Sequence, residues 1–530
     1  MTRKKRKMII ENNDEAIRKL LEEPVTKGVT AHFDEICSIP HSSGHEKALA
    51  DRLRTFLESA GCTARTDASG NVSAYLPASQ GYENAPLLMF QGHLDMVCAV
   101  GDGSGYDPLT DSIELLAGRD IDGTPILHTS GRSSLGADDG IGLAAVLWLF
   151  DRAADGGIRA AKHGPLKVLM TVREEQGLHG AESTRKSLFD DVDFLVNIDG
   201  FTAGRFITAS AGGRREVFER ASESVPTGRI VSGADTGAAS AFEIRIRGLL
   251  GGHSGFDINK KRINGAAFIC RLLADIRDAG VDYALCSLDS GMAHNVIPSS
   301  ADAVIVFEKG QEELVRDVAR MTLAAAKADA TDDEGDFEIL EVPVPELAVS
   351  RTIRDGILDF VNSTTVGVVK YMEHFKDIVD TSCNLGRIWA APDRETAHVM
   401  FFERSIDRKA HDAVIKEHAD AAEKTGFNLI VVDEYGSWEF DGRNPLLDAA
   451  LAAYEEATGE KGEPYAVHIG IEPSVFYGDN PKMYMVSSGM NVHDPHTVNE
   501  RCDIETIAPF ANTLLNLTAR VADMKKEPQR

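Results

Sequence analysis

The chain has 530 residues, with 56 Lys+Arg against 83 Asp+Glu and a formal net charge of −27. At about 150 residues per domain this is roughly three to four units of globular mass, or one long domain carrying an inserted one. A surface this acidic repels nucleic-acid phosphates and anionic lipid, so neither is an expected partner, and 43% hydrophobic with 26% charged residues excludes wholesale disorder.

The N-terminus opens with a basic KKRK run, followed by too few apolar residues for a signal peptide, and reads as a solvated tail. The apolar run around Ile141–Phe150 is too short to cross a bilayer. Seven cysteines are scattered along the chain without a CxxC pair, which reads as reduced thiols in a cytosolic protein and sets aside both a disulfide framework and a cysteine zinc site. Ala48–Gly61 predicts a helix. Leu87–Phe90 is a continuous apolar run, as in strands covered on both faces, and it leads into Gln91-Gly92-His93-Leu94-Asp95. Open α/β sheets place ligands at such strand ends. In extended chain His93 and Asp95 point the same way; they form either a structural pair or a metal-binding imidazole with its orienting carboxylate.

Asp138 and Asp139 precede an apolar helix at Gly140–Asp151. One acid suffices to cap it, which leaves the other free to bridge cations. Strand Leu166–Val172 ends at Glu174-Glu175, neighbours that face opposite ways in extended chain, so one can touch a metal while the other faces a substrate water. Strand Phe194–Ile198 ends at Asp199.

Near Gly212-Gly213 the texture changes. Alternating Ala241–Arg247, helix Arg262–Ala279, strand Ala303–Phe307 and helix Glu312–Lys327 suggest a small sheet with helices on one face. Strand Val399–Phe402 and helix Arg408–Thr425 come next. Strand Asn428–Val432, helix Leu446–Thr458, strand Met483–Val486 and helix Ile504–Val521 resume the first style. The fold class expected is α/β: a discontinuous domain with a mostly parallel central sheet, at 1–212 and 406–530, interrupted by an α+β domain at 213–405. A late polar loop, His493-Asp494-Pro495-His496, offers one more imidazole. Strand-end acids and histidines with no paired cysteine suit zinc or manganese. Two cations about 3.5–4 Å apart need a shared carboxylate, for which Asp138 is the candidate.

GHLDMV, LGADDGIG, VREEQGLHGAE, NID, GGHSGFDI, HNVIP, FERS and the terminal His-x-x-His loop occur in this order. The set resembles the co-catalytic zinc metallopeptidases of the aminoacylase/carboxypeptidase/dipeptidase family over roughly 30–520. Within that family, TSCNLGRI and GGHSGFDI are similar to the aminoacyl-histidine dipeptidase branch. The resemblance implies that His93 and Asp199 hold one metal, Glu175 and His496 the other, and that Asp138 bridges them. It implies that Asp95 orients His93, that Glu174 is the general base and that His253 steadies the oxyanion. Asn295 and Arg404 would hold the substrate carbonyl and carboxylate, beside a pocket at Gly470. His496 is preferred to His493 because the family's ligand lies in a His-Ser-Pro-Asp-Glu setting, here His496-Thr497-Val498-Asn499-Glu500.

The same resemblance implies a cytoplasmic homodimer that hydrolyses dipeptides, the inserted domain acting as lid and dimerisation domain. Its cofactors would be two divalent ions: zinc, or manganese or cobalt. An N-acyl-amino-acid amidohydrolase, or a non-catalytic binding protein on the same scaffold, are the alternatives. Glu472 bears on the first of these, since a dipeptidase must neutralise a free α-amine. The chain departs from the family at Gly200-Phe201, where Ser-Glu is usual, and at Ile469, a bulkier residue in the His468–Glu472 segment.

Overall fold

Apolar runs ending in glycine or acidic turns become buried strands whose carboxyl ends gather the polar residues. The computed structural model describes residues 9–526 apart from 152–156, 159–160, 233, 235–236 and 331–334, so the basic run at the N-terminus lies outside the described residues. Two units form: Met1–Ala209 with Phe440–Ala466 and Ile471–Arg530, and Ser210–Glu439 with Val467–Gly470.

After a short helix at Glu15–Glu22, the first unit has helices α1 (Pro24–Cys37) and α2 (Lys47–Ser59) and strands β1 (Thr63–Thr66), β2 (Val72–Leu76) and β3 (Leu88–His93). Helix α3 (Ala137–Phe150) follows two strands of a separate sheet, Leu116–Arg119 and Pro125–His128, and after it come β4 (Leu166–Thr171), β5 (Phe194–Gly200) and β6 (Arg205–Ser210). Every residue of α3 is buried; a helix apolar all round has no solvent face to present.

The second unit runs through β7 (Gly212–Ala221), β8 (Ala239–Arg247), β9 (Gly252–His253), α4 (Gly265–Asp278), β10 (Tyr283–Gly291), β11 (Val296–Ile297), β12 (Ala301–Glu308), α5 (Glu312–Asp329) and β13 (Asp336–Glu341). It continues with α6 (Arg351–Asn362), β14 (Val379–Ala390), β15 (Thr396–Ser405), α7 (Arg408–Thr425) and β16 (Asn428–Tyr435). The chain then returns to the first unit with α8 (Pro445–Thr458), β17 (Glu463–Val467), α9 (Glu472–Asp479), β18 (Tyr484–Gly489) and α10 (Ile507–Ala522).

The first unit's eight-stranded sheet has the order β1-β2-β4-β3-β5-β18-β6-β17. Its central four strands are parallel, as continuous apolar runs dictate. Helices α1, α3 and α10 pack into its core through Phe33, Trp148 and Phe510. No described helix is long and apolar enough to cross a membrane.

The second unit's sheet is larger than the small one expected: nine strands, with the path β13-β8-β12-β10-β14-β15-β7-β16 and strand Gly367–Tyr371 added beside β14. Two βαββαβ halves account for it. In the first half, β8-α4-β10-β12-α5-β13 arrange as β13-β8-β12-β10. In the second, β7-α6-β14-β15-α7-β16 arrange as β14-β15-β7-β16, the same order reversed. The first half is inserted after the first strand of the second, and the two join antiparallel through β10 and β14, from Leu288↔Ala390 to Gly291↔Arg387. Their helices share one apolar core containing Phe218, Phe242, Phe307, Phe360 and Phe401.

This duplication corrects the boundary expected at 406. Helix α7 and strand β16 belong to the second unit, because β16 pairs with β7 from Gly213↔Tyr435 to Glu219↔Asn428. Strand β16 is not buried either. Leu429, Ile430, Val431 and Val432 are 37–47% exposed, since it is a terminal strand with a neighbour on one side only.

Candidate metal centre

Strands β4, β3 and β5 lie side by side and parallel. Their carboxyl ends carry Glu174-Glu175, His93 and Asp199, which are therefore brought together although far apart in sequence. Asp138 joins them from the first turn of α3, where its backbone (φ −83, ψ 107) is not yet helical. His496 arrives on the loop after β18.

Asp138 divides its carboxylate. Oδ1 lies 2.9 Å from His93 Nε2 and Oδ2 lies 3.0 Å from His496 Nε2. His93 Nε2 is also 3.8 Å from Asp199 Oδ1, and His496 Nε2 is 2.8 Å from Glu175 Oε1. Two triads with mutually close ligand atoms result, His93–Asp138–Asp199 and Asp138–Glu175–His496, with Asp138 common to both; His93, Glu174 and Glu175 form a further group of this kind. His493 turns elsewhere, its Nε2 3.0 Å from Asp503 Oδ1.

Asp95 lies against the His93 ring. His93 Nδ1 meets the backbone oxygen of Asp95 at 3.0 Å, whereas the carboxylate stands off at 3.6 Å. That carboxylate accepts from the amides of Glu174 (2.9 Å) and Glu175 (3.3 Å) and from Ser43 Oγ (2.7 Å). It therefore sets the glutamate turn, while main chain sets the imidazole.

Neither aspartate caps α3 through its side chain. Asp139 turns back, and its Oδ2 accepts the His93 amide at 3.2 Å. A Cβ on Gly92 would fall on that oxygen and one on Gly142 on its partner oxygen, so glycine at both positions is what admits the buried carboxylate. The capping comes from Glu500, 365 residues from Leu135 in the chain. Its two oxygens accept four amides, those of Leu135 (2.8 Å), Gly136 (2.9 Å), Ala137 (2.8 Å) and Asp138 (3.1 Å). Glu500→Ala would strand these buried donors, each costing about 1–3 kcal/mol. Urea denaturation should show a loss of about 3 kcal/mol or more, with weakened metal retention. A loss under about 1 kcal/mol would show that water replaces the carboxylate without penalty.

The electrostatics of the cluster call for cations. Burial, reinforced by Asp138, raises Asp199 to about 7, and Glu174 is pushed well above the carboxylate range by burial and by Asp199, Glu175 and Glu472, against the pull of His93. Burial opposes charging His93, but its hydrogen bond to Asp138 and the nearby carboxylates of Asp199 and Asp95 raise it well above an ordinary imidazole; Asp138 and Glu175 raise His496 to about 11. The imidazoles are thus doing, as imidazolium, what a divalent ion does better. The buried Asp199 Oδ1 and Glu175 Oε1 have no hydrogen bond, and the donors are all oxygen and nitrogen. The residues fit two divalent cations.

In the second unit, β9 pairs with β11 through Gly252↔Ile297 and His253↔Val296. Ser254 N donates to Asn295 O at 2.8 Å, and Asn384 Nδ2 holds the oxygens of His294 (2.8 Å) and Val296 (2.9 Å). His253 Nδ1 accepts from the Gly255 and Phe256 amides at 3.1 and 3.3 Å, which leaves the ring proton on Nε2. Burial and the nearby Arg404 lower His253 to about 4, so it is neutral.

Arg404 is buried. It contacts Ser254 Oγ (3.4 Å) and Tyr435 Oη (3.2 Å) and stacks on Phe402, and it pairs with no carboxylate among the described residues. A Cβ on Gly470 would strike the Tyr435 ring, and Ile469 packs over Gly255. Glu472, in the first unit, is fully buried; its Oε2 accepts from Gln91, whose own oxygen accepts from Asn197 at 2.8 Å, and its Oε1 has no hydrogen bond. Gly200 lies against the Ser488-Gly489 backbone, where a Cβ would come within 2.5 Å of the Ser488 carbonyl carbon. That contact accounts for the glycine where the resemblance leads one to expect serine.

A sequence profile described as peptidase family M20/M25/M40 matches residues 89–520. The cytosol non-specific dipeptidase of Escherichia coli is 27% identical over 493 residues, 92% of this chain and 96% of that protein. The crystal structure of aminoacylhistidine dipeptidase from Vibrio alginolyticus superposes with a TM-score of 0.81 at 26% identity, covering 96% of this chain and 99% of that one. Aminopeptidase PepT from Bacillus cereus shares the fold at a TM-score of 0.56 and 15% identity, over 94% and 99% of the two chains.

Proposed function

The chain belongs to peptidase family M20/M25/M40, and from that footing we propose that it is a two-metal dipeptidase of broad specificity, with Xaa-His dipeptides among its substrates. The observation that carries the reading is the divided carboxylate of Asp138, one oxygen toward His93 and the other toward His496. Both similar dipeptidases are matched over nearly their whole length. Zinc ions held by His93, Asp138 and Asp199 and by Asp138, Glu175 and His496 would polarise the scissile carbonyl and make water acidic enough to attack at neutral pH.

The chain's own side chains supply the rest. Glu174 takes the proton of the attacking water and passes it to the leaving amine. Neutral His253 donates Nε2–H to the developing oxyanion, a contribution of about 3–4 kcal/mol for one strong donor. Arg404, buried without a carboxylate of its own, takes the substrate carboxylate with two parallel N–H bonds. Asn295 binds the carbonyl, Gly470 lines the substrate pocket with its main chain, and Glu472 meets the free amine. We assign the protein to the cytosol, in keeping with the name of its Escherichia coli relative, and to a homodimer, which light scattering checks.

Protein stripped with a chelator should lose dipeptide hydrolysis and regain it with zinc, manganese or cobalt. A panel containing Xaa-His dipeptides and an N-acetyl amino acid tests the substrate class. Faster cleavage of the N-acetyl compound would make the protein an N-acyl-amino-acid amidohydrolase. Activity that survives complete metal removal would reject the two-metal reading.

A further inference from the structure

A second group of metal-ligating side chains lies in the core of the second unit, and nothing in the proposed hydrolysis uses it. Glu216 on β7, Cys383 on β14, Glu403 on β15 and His418 on α7 are all fully buried. Strand register sets Cys383 opposite Glu403, and His418 reaches them from the helix above. We infer that Cys383, Glu403 and His418 bind one structural divalent cation of the zinc type, separate from the centre around Asp138.

Three observations carry this. The three ligand atoms lie within 4.8 Å of one another, and Cys383 Sγ is 3.6 Å from His418 Nε2. Tetrahedral zinc, with Zn–S about 2.3 Å and Zn–N about 2.0 Å, sets that sulfur–nitrogen edge at about 3.5 Å. The opposite ring nitrogen, His418 Nδ1, lies 3.1 Å from Glu216 Oε2, and Glu216 is held by Arg214 Nε at 2.8 Å. A carboxylate on the far nitrogen fixes the tautomer and turns Nε2 toward a metal. Finally, Glu403 Oε1 stands 2.9 Å from His418 Nδ1, yet neither oxygen of this buried carboxylate makes a hydrogen bond. A buried carboxylate that pairs with one imidazole and accepts no hydrogen bond keeps lone pairs for a metal. Sulfur, carboxylate oxygen and imidazole nitrogen make a donor set from three side chains.

Arg214 Nε pairs with Glu216 at 2.8 Å, so a divalent ion held by the Glu403 carboxylate and the Cys383 thiolate, with the thiol proton released to solvent, leaves the group neutral. The rings of Phe218 and Phe401, 6.1 and 4.4 Å from the imidazole, provide a dry shell. Scattered cysteines argue against a thiolate site at the level of sequence, but here the ligands come from two adjacent strands and a helix, so no CxxC spacing arises.

Cobalt distinguishes the two centres, because the ligands around Asp138 include no sulfur. Metal-free full-length protein titrated with Co²⁺ should develop a near-ultraviolet thiolate-to-cobalt charge-transfer band that saturates at one site per chain. The band should vanish in Cys383→Ser, with loss of one bound metal per chain and dipeptide hydrolysis retained. Saturation of the wild type without that band overturns the inference, whether or not the variant folds, and so does a band that persists in Cys383→Ser. Dipeptide hydrolysis is read separately, so either conclusion can fail alone.

Discussion

Replacing Glu174 by glutamine should lower kcat by about 10²–10⁴-fold, the usual contribution of a positioned proton-transfer group, and leave the metal content of the first unit unchanged. The geometry makes the two halves of this result separable. Glu174 belongs to neither triad that shares Asp138, although it lies within reach of His93 and Glu175. Its backbone is held by Asp95 and not by its own carboxylate, so an amide at this position leaves the turn intact. Glutamine cannot accept the proton of an attacking water. Metal analysis beside steady-state kinetics decides the matter: retained turnover would reject the general base, and lost metal would make Glu174 a ligand.

The other large effect should come from Asp138→Ala. Both triads lose their common member, so both cations should be lost and hydrolysis should fall to the uncatalysed background. Asp139→Asn is the informative comparison. Asp139 accepts the His93 amide and belongs to neither triad, and such outer-shell partners typically change metal affinity by about 10–100-fold. Equilibrium metal titration of the two variants should therefore separate by more than that factor. Equal weakening would mean that Asp138 acts by supporting the turn and not by bridging.

How much is legible in the sequence depends on how burial writes itself there. Parallel central strands are apolar on both faces, so β3, β4, β5 and α3 stand out as continuous runs, and the acids and imidazole that interrupt them fall where a sheet of this kind holds ligands. Side chains that act on backbone leave no such trace. Glu500 caps the turn before α3 from the far end of the chain, and Asp139 fits only because Gly92 and Gly142 leave space. The Cys383–Glu403–His418 group is equally hidden, since strand pairing and helix packing assemble it.

The apolar run at 428–432 misled for a related reason. A short hydrophobic strand looks alike at the centre of a parallel sheet and at the rim of an antiparallel one, and only its pairing with β7 shows which it is. The nested halves of the second unit are hidden as well, because one interrupts the other and no fixed repeat length survives.

Joining two βαββαβ halves in one polypeptide releases them from symmetry. In an assembly of identical subunits every substitution occurs twice, so a residue suited to one side of the axis is imposed on the other. Here β8 can change while its counterpart β7 does not. The inserted half carries His253 and Asn295; the interrupted half carries Arg404 and, in its own interior, Cys383, Glu403 and His418. Each has become a specialist, an option closed to a protein that must use one copy for both tasks.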